Sequence, residues 1–126
     1  MKARILIIED NPDNLELVRF LLTRAGHEVS TATDGTSGLN LARKQHPDMV
    51  ILDMGLPEMD GWTVAAHLKG APTTQDIRLV ALTAYTSTGD RRRALQAGCD
   101  GYLSKPIQAE TFADEIHQFL ENQEST

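Results

Sequence analysis

Five short apolar runs, separated by amphipathic stretches, constrain this chain more than any other feature. The runs are Ile5-Leu6-Ile7-Ile8, residues 29–32, Met49-Val50-Ile51-Leu52, Leu79-Val80-Ala81-Leu82 and Tyr102-Leu103. A strand with one face in water alternates apolar and polar residues; runs without that alternation suit strands buried on both faces. The stretches between them read as helices. Leu15, Val18, Leu22 and Ala25 recur on one helical face. Asn11 and Pro12 supply a cap and a first-turn residue, and Gly26 supplies a stop. Asp34 is placed to cap a second helix reaching about Gln45, with Pro47 beyond it, and Asp60 a third ending near Gly70. Residues 87–97 read as a fourth helix closed by Gly98. Phe112, Ile116 and Phe119 mark one face of a fifth, over about 109–122. A β-α unit repeated five times predicts an α/β fold: a doubly wound, five-stranded parallel sheet with helices on both faces.

The bulk numbers narrow the function classes. At 126 residues, 40% of them hydrophobic, the chain suits one domain with an ordinary core. We expect that core over about 3–120, with the polar residues 121–126 as a frayed tail. A net charge of −6 argues against nucleic acid as a direct partner, because a phosphate backbone needs a basic face. The single cysteine, Cys99, permits no intramolecular disulfide and points to a reducing compartment. The apolar run after the first four residues is too short for a signal-peptide core, and no run approaches the ~20 residues of a membrane helix. The expectation is a soluble, cytoplasmic protein without membrane insertion.

The places where charge interrupts the apolar runs are more specific. Glu9-Asp10 follows the first run, Asp53 the third, Thr83 the fourth, and Lys105 lies just past the fifth. In an open parallel sheet, ligands bind outside the carboxyl ends of the strands at the topological switch point. These groups would converge there. Two like charges ~4 Å apart repel by ~1 kcal/mol in water and ~4 kcal/mol at an effective dielectric near ~20. A carboxylate must take a proton, a cation must bind, or Lys105 must offset part of the charge. Hard oxygen ligands in a small set favour Mg²⁺ or Mn²⁺.

With Leu56-Pro57-Glu58-Met59-Asp60-Gly61, Thr83-Ala84 and Lys105-Pro106, this pattern resembles the receiver domains of two-component response regulators. The resemblance spans about 3–120. It is strongest toward stand-alone receivers of the DivK type, at Gly98-Cys99 and Tyr102-Leu103-Ser104-Lys105-Pro106-Ile107. It implies a flavodoxin-like (βα)5 fold with strand order 2-1-3-4-5. It also implies that Asp53 accepts a phosphoryl group from a histidine kinase, a histidine phosphotransfer protein or a small donor such as acetyl phosphate. Mg²⁺, with Mn²⁺ as a substitute, would be held by Asp10, by Glu9 through water, by Asp53 and by the backbone carbonyl of Gly55. Lys105 would contact the phosphoryl group, aimed by a cis peptide at Pro106. Thr83 would bond a phosphoryl oxygen, and Tyr102 would follow it inward as a switch. Output to a downstream protein target would pass through the fourth helix, fifth strand and fifth helix. Such a protein catalyses its own phosphorylation and a slow aspartyl-phosphate hydrolysis, and is no conventional enzyme. The hydrolysis rate would be set by Gly55, two after Asp53, and by Tyr85, two after Thr83, whose bulky ring would slow it by shielding the phosphoryl group.

Three other readings compete. A pseudo-receiver interaction module predicts gaps in the acidic set, and none is visible. A small Mg²⁺-dependent phosphohydrolase would want a second acid where Gly55 stands. A flavodoxin-like cofactor binder needs a phosphate loop where Glu9-Asp10 would repel phosphate. Among the remaining residues, Arg91-Arg92-Arg93 reads as a solvated face, Trp62 as a half-buried anchor and Cys99 as a small buried apolar residue. His27, His46, His67 and His117 are scattered, lack metal-ligand spacing and receive no role.

Overall fold

The structure, a computed structural model, describes residues 2–84 and 88–121. Ten elements alternate strictly: β1 (Arg4–Ile8), α1 (Pro12–Arg24), β2 (Glu28–Ala32), α2 (Gly35–Gln45), β3 (Met49–Asp53), α3 (Gly61–Gly70), β4 (Arg78–Thr83), α4 (Thr88–Gln96), β5 (Gly101–Ser104) and α5 (Phe112–Glu121). All strand pairs are parallel, in the order β2-β1-β3-β4-β5. This is the doubly wound sheet expected, with its switch point between β1 and β3.

Alternation along the strands divides the core into two layers. Leu6, Ile8, Val50, Leu52, Leu79 and Ala81 point to the face covered by α2, α3 and α4, where Leu39, Val64, Leu68 and Ala94 meet them. Ile5, Ile7, Met49, Ile51, Val80 and Leu82 point to the other, where Val18 and Leu22 of α1 and Phe112 and Ile116 of α5 close over them. The central strands β3 and β4 are buried throughout, which is why they lack polar alternation. The edge strand β2 is only partly buried and accordingly contains Ser30 and Thr31.

Local chemistry starts the first three helices where the sequence places them. The Asn11 side chain accepts from the Asn14 amide at 3.0 Å, Asp34 from Ser37 at 2.8 Å and Asp60 from Thr63 at 2.9 Å. Gly26 takes the left-handed conformation, φ 99°, that ends α1 cheaply. The end of α2 differs in detail: His46 itself turns left-handed, φ 47°, before Pro47. Helix α5 begins later than the expected 109, because residues 109–111 form a turn in which Phe112 donates to the Gln108 carbonyl at 3.0 Å. Helix α4 is described from Thr88; the expected start at Ser87 lies outside the described residues, as do Tyr85 and the tail beyond 121. No helix among the described residues is long and apolar enough to cross a membrane.

Candidate functional site

Strand β1 ends into Glu9-Asp10, β3 ends on Asp53 and β4 on Thr83, while Lys105 follows β5. The parallel topology brings these ends to one rim. Carboxylate oxygens of Glu9, Asp10 and Asp53 all lie within 4.8 Å of one another. The Lys105 ammonium stands 3.1 Å from Glu9 Oε1 and 3.3 Å from Asp53 Oδ1. The rim also collects the amino ends of α1, α2 and α3, whose partial positive charge favours anions nearby.

Each side chain is held by its local backbone. Glu9 Oε2 accepts from the Asn11 amide at 3.2 Å, and Asp53 Oδ1 accepts from the Gly55 amide at 3.0 Å. Gly61 lets α3 pass close beneath the end of β3: a Cβ there would stand 2.7 Å from the Asp53 carbonyl oxygen and 2.4 Å from Met54 Cα. The Lys105 amide donates to the Thr83 carbonyl at 2.7 Å, and the Lys105-Pro106 peptide is cis, as expected. Thr83 is buried at the same rim.

Burial separates the roles of the acids. Asp10 is exposed, whereas Glu9 is 1% and Asp53 4% accessible. Desolvation, followed by a hydrogen bond with Asp53, raises the Glu9 carboxyl to about 7. Burial pushes Asp53 upward too, but its bonds to Glu9, the Gly55 amide and Lys105 outweigh that and hold it below the usual carboxylate value. Burial pulls Lys105 down, yet the charges of Asp53 and Glu9 keep it above the ordinary lysine value. Of the three reliefs the sequence leaves open for crowded carboxylates, two are visible: Glu9 readily takes a proton, and Lys105 pairs with both buried acids.

The donor set also fits a small hard cation. Glu9 Oε1 is buried with no aligned hydrogen-bond donor among the described residues, despite the ammonium 3.1 Å away. Three carboxylates face one lysine, leaving a surplus of negative charge that a divalent ion neutralises. Glu9, Asp10 and Asp53 are the side chains able to hold it.

Outside the rim the expectations divide. Tyr102 is half-buried on β5 against the α2–α3–α4 layer. With Leu103, Lys105, Ile107, Phe112 and Arg91 it lines a cleft of about 750 Å³ beside the rim. Cys99 is buried, and desolvation lifts its thiol to about 11, which makes it unreactive. Trp62 is half-buried as expected, but Arg93 is more than solvated surface: its guanidinium lies 4.1 Å from the Trp62 ring centroid. Two contacts escaped the sequence reading. The Asn11 amide steadies Glu9, a role with no signal beyond its cap position. His27 and His117, unassigned and 90 residues apart, meet at 2.8 Å.

Comparison with known proteins agrees with this geometry. Residues 5–117 match the family described as "Response regulator receiver domain". The polar-differentiation response regulator DivK of Brucella ovis is 38% identical over 120 residues, covering 95% of this chain and 98% of that protein. The response regulator PleD of Caulobacter vibrioides is 44% identical over 107 residues, which span 85% of this chain and 24% of PleD. Among solved structures, the chemotaxis response regulator CheY4 of Vibrio cholerae superposes with a TM-score of 0.89 at 28% identity, over 94% of this chain and 99% of that one. The receiver domain of a sensor histidine kinase from Pseudomonas aeruginosa, solved with a magnesium ion coordinated in its active-site cleft, gives 0.85 at 29% identity over 96% and 99%.

Proposed function

The chain belongs to the response-regulator receiver family, and from that premise we propose that Asp53 is its phosphoacceptor, charged by a histidine kinase or histidine phosphotransfer protein. The observation that carries this reading is the Asp53 carboxylate at the sheet rim, below its usual pKa, 3.3 Å from the Lys105 ammonium and beside two further acids. Phosphoryl transfer asks little covalent chemistry of the protein; it asks for alignment and charge neutralisation. A carboxylate oxygen of Asp53 bonds to phosphorus as the bond to the donor's imidazole nitrogen breaks, and the imidazole, already protonated on its other ring nitrogen, leaves neutral. Staying ionised, Asp53 remains a nucleophile. Lys105 meets the phosphoryl oxygens, and the Thr83 hydroxyl donates to one of them. Asp10, Asp53, Glu9 through water and the Gly55 carbonyl would hold Mg²⁺, or Mn²⁺ in its stead, which would supply the remaining charge neutralisation. The Cys99 thiol and acidic balance suit a cytoplasmic setting.

The phosphoryl group adds a charge of about −1.5 to −2 and strong acceptor oxygens. Contacts from Thr83 and Lys105 then favour one arrangement of the carboxyl end of β4, and Tyr102 follows inward. Moving such an equilibrium from about 1:99 to about 99:1 takes roughly 5.5 kcal/mol. Three or four charge-assisted bonds of roughly 1.5–3 kcal/mol each reach that scale. The face built by α4, β5 and α5 passes the change to a downstream protein target. Incubation with acetyl phosphate and Mg²⁺, read by intact mass, tests the assignment. We expect one phosphoryl gain in wild type, none in Asp53→Asn and none after chelation. An unmodified wild type, or an equally modified variant, would overturn it.

A further inference from the structure

At the end of the sheet opposite the acidic rim, two histidines meet ring to ring. His27 sits between α1 and β2, 4% exposed, and His117 lies on α5. Their Nε2 atoms are 2.8 Å apart, with the rings edge to face at 76°. The decisive contact is a third one: His27 Nδ1 accepts from the Ala3 backbone amide at 3.0 Å. A ring nitrogen that accepts a hydrogen bond has no proton, so neutral His27 carries its proton on Nε2. That N–H donates to His117 Nε2, which must then be the bare nitrogen of its own ring. The same tautomer leaves His27 Nε2 without a lone pair for a metal ion.

We propose that this contact is a proton-released latch, holding α5 against the start of β1 and β2 while both rings are neutral and letting go when either takes a second proton. A proton on His27 Nδ1 displaces the Ala3 amide. A proton on His117 Nε2 sets two N–H groups against each other at the 2.8 Å contact. Every route to a charged ring therefore breaks a hydrogen bond. The surrounding charges do not rescue it. His27 is held below the ordinary histidine value by burial first, then by His117. Arg78 of β4 reaches the same end of α5, donating to the Phe119 and Leu120 carbonyls, and is also positive. Arg24 on α1, Glu28 on β2 and Asp114 and Glu121 on α5 are exposed, and among the described residues no carboxylate bonds either ring. The exposed His46 is the counter-example in its surroundings: its Nε2 lies 3.0 Å from an Asp76 carboxylate oxygen.

The test uses the full chain, labelled with ¹⁵N. Imidazole nitrogen shifts should report the Nε2–H tautomer for His27. Amide exchange should be followed at about pH 7.5 and about pH 5.5, on either side of the ordinary histidine value, and corrected for intrinsic rates. We expect α5 amides to lose about tenfold protection relative to β3 at the lower pH, the equivalent of one hydrogen bond. His27→Gln, which cannot titrate, should remove that difference. An Nδ1–H tautomer, or α5 protection that stays level while the His27 ring titrates, would overturn the proposal, and the tautomer needs no variant to fold.

Discussion

At the carboxyl end of the sheet, the Lys105 ammonium stands within 3.3 Å of both the Glu9 and the Asp53 carboxyl groups. At the amino end, polar side chains are spent on the backbone instead. Arg78 donates to the last carbonyls of α5, Lys69 to the Ile77 carbonyl at 2.7 Å, and Thr74 to the Leu68 carbonyl at 2.7 Å. Asp100 accepts from the Leu79 amide at 2.8 Å, and His27 from Ala3. One end is satisfied within the chain; the other keeps unbalanced negative charge. Buried charge without full compensation destabilises a fold, so its retention at one rim marks that rim as the working one.

The two ends also respond to pH with opposite sign. Glu9 is raised from 4.5 to about 7, so its contribution to stability is fully present below 4.5 and is lost as pH rises toward 7. His27 is lowered from 6.5, so its contribution is present above 6.5 and is lost as pH falls through its depressed value. Asp53, lowered from 3.8, contributes above that value and loses its share only in stronger acid.

Substitutions at each end sharpen the contrast or break it. The largest effect is expected from Lys105→Ala, which strands two buried carboxylates. Urea unfolding near pH 8 without divalent ions should show a loss of about 3 kcal/mol, shrinking near pH 5 as Glu9 takes up a proton. A pH-independent loss would mean that Lys105 acts by packing alone. At the other end, Arg78→Ala should cost about 2 kcal/mol, the scale of hydrogen bonds from a charged donor. That cost should be the same with and without Mg²⁺; dependence on Mg²⁺ would tie the two ends together. The smallest effect is a gain. Glu9→Gln relieves like-charge crowding and should stabilise the Mg²⁺-free protein by about 1 kcal/mol near pH 8, fading as pH approaches 4.5. Thermal melts across that range would expose the opposite slope if the description of the rim were wrong.

Much of this was legible early because it is local. Asn11, Asp34 and Asp60 cap helices through bonds to amides three residues on, which any chain segment can make by itself. Burial on both faces wrote apolar runs into β3 and β4. The acids and the lysine stood out because each interrupts the chain at a strand end. The late start of α5 was not legible, since a turn over 109–111 competes with a helix at little difference in local propensity. Nor was the pairing of His27 with His117, or of Arg78 with the end of α5, because neither residue type nor spacing announces a partner 90 or 41 positions away.

The amino-acid order by itself determined the five strands, the caps between them and the presence of acids, hydroxyl and ammonium group at strand ends. Those depend on periodicity and on contacts within a turn or two. Tertiary structure alone decided which carboxyl is pushed toward holding a proton, which is held toward the ionised form and which histidine nitrogen accepts the Ala3 amide. Those depend on desolvation and on distances of a few ångströms between remote residues, and both come into being only when the strands take their places in the sheet.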